Sequence, residues 1–168
     1  MNIESLHFAP DGLMPNNPVL PFTCYRGAFE SASRDPEQAI IRHFAANDWG
    51  DAWINGIYPF QHYHATAHEV LGIAKGRALV QFGGPSGPML EVTAGDAVFI
   101  PAGVGHYGLE MSHDLSVVGA YPKGQTADLR RDTAGDFRGA AERIAKVPLP
   151  RLDPVTGAPF AVEPPSAR

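Results

Sequence analysis

Hydrophobic positions along the chain follow two rhythms. At two places they recur at helical spacing. Asp35-Pro36-Glu37 is a helix start, with an N-cap aspartate, proline in the first turn and acid behind it, and Ile40, Ile41 and Phe44 then share one face. This predicts a helix ending near Asn47. From 136 to 146, Phe137, Ala140, Ala141, Ile144 and Ala145 form a second apolar stripe. Elsewhere the rhythm shortens. Segments 52–58, 69–74, 78–82, 90–93, 97–100 and 115–120 read as short strands, each bounded by Gly, Pro or Asp. Gly83-Gly84-Pro85-Ser86-Gly87-Pro88 is the strongest turn. No Gly-Lys-Ser/Thr and no helical pattern follow it, so it reads as a hairpin loop and not as a phosphate cradle. Many short strands with glycine corners predict a mainly β fold, a sandwich or a small barrel.

Composition sets the boundaries of that barrel. The chain has 168 residues, which argues for one domain. Prolines crowd both ends: Pro10, Pro15, Pro18 and Pro21 at the start, and six between Pro148 and Pro165. Proline lacks an amide donor, so these ends are expected as extended arms, 1–21 and 148–168, over a core or a neighbouring subunit. The domain proper is expected at 22–147. Lys plus Arg is 13 and Asp plus Glu is 18, a net charge of −5, which speaks against a nucleic-acid or anionic-membrane surface. The single cysteine, Cys24, excludes an intrachain disulfide and a multi-cysteine metal site, and reads as a packed core residue. The first ten residues lack the basic start and apolar run of a signal peptide, and no stretch approaches the roughly 20 apolar residues of a membrane span. A cytoplasmic setting is expected.

Of the seven histidines, His7, His43 and His113 read as surface or satisfied core residues. His62 and His64 are two apart and would project from the same face of a strand, a ready-made bidentate chelate, while Tyr63 points away. Glu69 follows His64 by five residues and can rejoin that face only if Ala65-Thr66-Ala67-His68 forms a turn or bulge. In a regular strand His68 points away from Glu69, giving it a supporting role; a bulge would make His68 the ligand in place of Glu69. His106 follows Pro101, Gly103 and Gly105, where a strand ends.

These spacings resemble the cupin superfamily. Gly56, five residues, His62, one residue, His64, four residues, Glu69, six residues and Gly76 match its first motif. Gly95, five residues, Pro101, one residue, Gly103, two residues and His106 match its second. The second motif often continues, after three further residues, with Asn; here that position is Glu110. The strings Pro15-Asn16-Asn17-Pro18, Gly119-Ala120-Tyr121-Pro122 and Val147-Pro148-Leu149-Pro150 also resemble a bacterial group of small single-cupin proteins, the YjlB-like group. The resemblance implies a double-stranded β-helix, a jelly-roll barrel, flanked here by an N-terminal and a C-terminal helix and the proline-rich arms. It implies metal ligation by His62, His64, Glu69 and His106, and a homodimer.

Three imidazoles and a carboxylate suit one divalent transition metal, Fe, Mn, Ni, Cu or Zn, and suit Ca poorly. Four protein ligands on an octahedral ion leave two positions open for water, O₂ or a substrate. Tyr58, Gln61, Tyr63, Tyr107 and Glu110 are candidates to line the mouth, with Glu110 the candidate general acid or base. The expected function is metal-dependent chemistry on a small oxygenated molecule, as an oxygenase or an isomerase/lyase. The alternative is a non-catalytic cupin that senses or stores a small ligand or the metal.

Overall fold

The computed structural model of the chain describes residues 1–30 and 33–162. Pro164 and Pro165, the last prolines of the C-terminal stretch, lie outside the described residues. In chain order the elements are β1 (Asn2–Leu6), β2 (Phe22–Arg26), α1 (Pro36–Ala46), β3 (Trp49–Asn55), β4 (His62–Tyr63), β5 (Glu69–Lys75), β6 (Arg77–Phe82), β7 (Met89–Thr93), β8 (Ala97–Ile100), β9 (His106–Met111), β10 (Ser116–Pro122), β11 (Arg130–Arg131), α2 (Ala134–Phe137) and α3 (Ala140–Ala145).

The strands form two antiparallel sheets, one in the order β1-β2-β8-β5-β10-β3 and the other β11-β4-β9-β6-β7. From β4 onward the chain passes repeatedly from one sheet to the other, which makes the barrel a double-stranded β-helix. Leu71, Ile73, Val98, Ile100 and Val117 of the six-stranded sheet pack inside it against Val80, Phe82 and Val92 of the other. Cys24 belongs to this core as a free, buried thiol. The outer face of the six-stranded sheet is buried as well. There Val70, Phe99, Val118 and Ala120 meet Ile40 and Phe44 of α1 and Val155 of the C-terminal segment. A strand buried on both faces needs no polar positions, which is why β8 reads Ala-Val-Phe-Ile without alternation.

Helix α1 begins as its sequence dictates: the Asp35 carboxylate accepts from Gln38 N at 3.2 Å and Pro36 opens the first turn. Its buried side chains, Ile40 and Phe44, contribute about 1.5–3 kcal/mol each. The expected C-terminal helix is two short pieces, because Gly139 adopts a left-handed φ of 71° between α2 and α3. Only Ala140 and Ile144 of its apolar stripe are buried.

Both termini are tied into the barrel. Residues 2–6 precede the first proline, keep their amide donors, and pair with β2 as an edge strand. Asn16 donates to the Ala9 and Gly83 carbonyls and accepts from Gly105 N, while Asn17 donates to Ala102 O. The C-terminal stretch lies over the outer face of the larger sheet: Trp49 Nε1 donates to Leu152 O at 3.0 Å, and Tyr25 Oη to Asp153 Oδ2 at 2.5 Å. Among the described residues no helix is long and apolar enough to cross a membrane.

The α1 contact depends on Gly72 of β5. A Cβ there would lie 2.7 Å from Ile40 Cγ2 and 3.1 Å from Phe44 Cζ. Gly72→Ala should therefore cost about 1–3 kcal/mol through overpacking. A lowered denaturant midpoint at unchanged slope is the expected reading.

Candidate metal centre

Strand β4 is two residues long, yet it is held on both sides. His62 pairs with His106 of β9, and the partners on the other edge are Arg131 for His62 and Arg130 for Tyr63. His106 opens β9 directly after the loop 101–105, so the strand that ends before it is β8. The Gly103 amide in that loop donates to His64 O at 2.7 Å, joining the two histidine-bearing segments.

Glu69 reaches the histidines by a change of sheet. After His64 the chain bends at Ala65-Thr66, leaves the five-stranded sheet and enters the six-stranded one at Glu69. Within β5, Leu71 and Ile73 face the barrel interior, and Glu69 shares their side. The regular strand sends His68 the other way. Its ring lies 5.9 Å from that of Phe99 in the outer cluster, its Nδ1 accepts from Ala102 N, and burial lowers its pKa to about 4 against a partly opposing Pro148 carbonyl. His68 thus lies outside the cluster of His62, His64 and His106.

His62, His64 and His106 bring one ring nitrogen each within 4.8 Å of one another and could hold a metal ion. The other ring nitrogen, Nδ1, is committed to main-chain carbonyls: Phe60 O for His62 at 2.9 Å, Val104 O for His106 at 3.1 Å, and Asp128 O for His64. A carbonyl can only accept, so each Nδ1 carries its hydrogen and each Nε2 turns inward. Glu69 Oε1 lies 3.4 Å from Nε2 of both His64 and His106. His106 Nε2 is buried without a hydrogen-bond partner. A buried orphan nitrogen beside two others and a carboxylate is what a cation site requires.

The charges follow from the packing. Burial and the neighbouring His106 push His62 down to about 2, so it is neutral with its lone pair available. Burial also opposes charge on His64, but the Glu69 carboxylate outweighs it and raises His64 to about 9. Glu69 is held well below the usual carboxylate range, since attraction to His64 and His106 overcomes the burial that would raise it. Burial and the Glu69 carboxylate push the Tyr121 hydroxyl up.

Sequence reasoning singled out Glu110, and the structure does not bring it to the site. β9 carries a bulge: Gly108 pairs with Val80 and Glu110 with Leu79, leaving Leu109 unpaired. That extra residue reverses the alternation, so Glu110 is exposed and off the cavity wall. Tyr63 is buried with its hydroxyl donating to Asp136 O, Gln61 bonds Gln81, and Tyr107 does not line the cavity; Tyr58 does.

Asp128 was not legible in the sequence. Its carbonyl accepts from His64 Nδ1, its Oδ1 accepts from Ala65 N at 2.7 Å and Thr66 N at 3.2 Å, and its Oδ2 accepts from Arg130 Nε at 2.8 Å. A single residue in the loop beyond β10 thus holds both the bend and the His64 ring just before it. Only its place in a loop beside the barrel makes this possible, and no spacing signals it.

No family profile matches the chain. The Bacillus subtilis (strain 168) protein YjlB, itself uncharacterised, is 37% identical over 154 residues, covering 92% of this chain and 90% of YjlB. Among solved structures, acireductone dioxygenase from Bacillus anthracis, with a cadmium ion in its active center, aligns with 54% of this chain and 62% of its own, at 16% identity and a TM-score of 0.40. A variant of Bacillus subtilis oxalate decarboxylase aligns with 48% of this chain and 23% of its own, at 20% identity and a TM-score of 0.39. The chain spans less than two thirds of either solved chain.

Asp128→Ala should weaken binding of a divalent transition metal by about 10–100-fold, read by competition with a chromophoric chelator. Asp128→Asn keeps an oxygen toward the Ala65 and Thr66 amides and should lose less. Equal affinities in all three proteins would show that the clamp does not position His64.

Proposed function

The chain belongs to the YjlB family, and from that footing we propose that its cupin barrel holds one divalent transition-metal ion on His62, His64, Glu69 and His106 and uses it to transform a small oxygen-bearing molecule. The observation that carries this reading is the convergence of three Nε2 atoms whose opposite nitrogens are each tied to a main-chain carbonyl. Ligating imidazoles are oriented in this way, and histidines kept only for packing have no need of it. Three nitrogens and one carboxylate oxygen suit Fe, Mn, Ni, Cu or Zn.

When bound, such an ion supplies Lewis acidity and coordination positions open to water, O₂ or a substrate, which suits an oxygenase or an isomerase/lyase. The chain's own residues do the rest. His62 presents a neutral lone pair without first losing a proton. For His64 to ligate, its Nε2 proton, held now by Glu69, would pass to solvent, and Glu69 would balance the cation in its place. Tyr121, kept protonated by burial and by Glu69, stands beside the carboxylate as a hydroxyl donor. The half-open cavity above these groups has a volume of about 460 Å³, enough for one small molecule.

The assembly we propose is a homodimer. Strand β1 is exposed along its whole length and, among the described residues, pairs on one edge only, with β2. Sedimentation of a variant lacking residues 1–6 should show a monomer; an unchanged mass would defeat this surface.

The test of the metal reading is elemental analysis of protein prepared without added metal or a histidine tag, alongside His62→Ala and His106→Ala. One Fe, Mn, Ni, Cu or Zn per chain is expected, lost from both variants while the fold persists. A wild-type protein that holds none and takes up none on incubation would refute the reading.

A further inference from the structure

One wall of the cavity bears on what can enter it. Trp53 of β3 stands opposite Gly119 of β10, and its indole fills the space that a Cβ at Gly119 would need. The indole Nε1–H donates to Tyr121 Oη at 2.9 Å. The ring is therefore seated on one side and hydrogen-bonded at its polar edge, and with its donor satisfied it offers the cavity an apolar aromatic surface. At the rim Tyr58 stacks on Phe60 at 4.9 Å and meets the His62 ring edge-on at 5.2 Å. Ile57, Leu71 and Leu129 continue the apolar lining.

Apart from the His64 ring, whose charge Glu69 already balances, the charges on that lining are negative. Among the described residues no lysine or arginine lines the cavity, and its carboxylates are Glu69 and Asp128. Arg131 is turned elsewhere, with its guanidinium 3.6 Å from the centroid of the Phe60 ring. A phosphate, or a second and third carboxylate, would enter here without a lysine or arginine to meet it, at a large desolvation cost.

We propose that the cavity takes a planar, mainly apolar molecule, aromatic or conjugated, with two neighbouring oxygen atoms on one edge, and that Trp53 seated on Gly119 determines this preference over compact polyanions. The body lies against Trp53 and the oxygens point toward the histidines. The placement of the oxygen-bearing edge rests on the metal reading above; the aromatic wall does not.

The experiment is calorimetric titration of the full-length protein with catechol and, separately, with oxalate, a compact dianion offering the same pair of oxygens. Metal content is measured on every sample. Catechol should bind at least about tenfold more tightly than oxalate. Trp53→Ala should lose about that factor for catechol, change oxalate little and leave metal content unchanged. Trp53→Phe should retain most of the affinity, and Gly119→Ala, which displaces the ring, should lose it with the tryptophan still present. Should Gly119→Ala fail to fold, the Trp53 pair decides alone. Catechol that binds no better than oxalate, or equally well to Trp53→Ala, overturns the proposal at any metal content, and with one metal per chain it leaves the metal reading standing. Trp53-dependent catechol binding by a protein that holds no metal supports the aromatic wall and overturns the metal reading.

Discussion

Glu69 and the pair His62 and His64 meet only because the chain changes sheets between them. Residues two apart along extended backbone face the same way, so the histidine pair needs nothing more. The carboxylate is different, since continuing along that strand would have sent it outward. The bend at Ala65-Thr66 carries the chain across to β5, where Glu69 points back into the barrel from the facing sheet. The other features of the site depend on that crossing. It sets the 3.4 Å approach of Glu69 to His64 and His106, and through that approach the pKa of His64 is raised and that of Glu69 lowered.

A bend bearing buried polar side chains has to be held, and what holds it lies outside the barrel's main strands. Asp128, in the loop after β10, takes up the two amides that the bend leaves free of sheet pairing and also the Nδ1 hydrogen of His64. The loop that delivers His106 is fixed from the N-terminal side, where Asn16 accepts from Gly105 N and Asn17 donates to Ala102 O. Residues 1–21 and those beyond β10 are therefore parts of the site's support. The same economy appears on the cavity wall. Gly119 gives up its side chain so that Trp53 can lie where it does, and the Tyr121 hydroxyl that accepts from Trp53 also neighbours Glu69.

Local signals were legible where local physics decides. Asp35 and Pro36 begin α1, Ile40 and Phe44 are its buried face, and the glycine-rich run 83–88 joins β6 to β7. Strands rich in Val, Leu and Ile at 69–74, 78–82 and 97–100 stand within a residue of where periodicity puts them. Two-residue strands such as β4 and β11 carry too few positions for any periodicity to show. The strand at 52–58 was displaced for another reason: β3 starts at Trp49, and its exposed outward positions blur the pattern. The C-terminal stripe continues across Gly139, but the backbone does not continue as one helix, because a left-handed glycine ends a helix whatever the periodicity of its neighbours.

The same division runs through the site. Spacing placed His62 and His64 on one face, because a period of two belongs to the chain itself, while it was the resemblance of the motifs to the cupin superfamily that implied Glu69 and His106 as further ligands. Which side of the barrel each later residue occupies was decided by tertiary structure. His68 faces the outer cluster because β5 runs regularly from its first residue, and Glu110 faces outward because one extra residue at Leu109 reverses the alternation of β9. Trp53, Tyr121 and Asp128 come to the site from β3, β10 and the loop beyond, outside the segments that carry the histidines. Parity along a strand can be counted from the residues, whereas a bulge, a change of sheet and a long-range contact exist only once the sheets have paired.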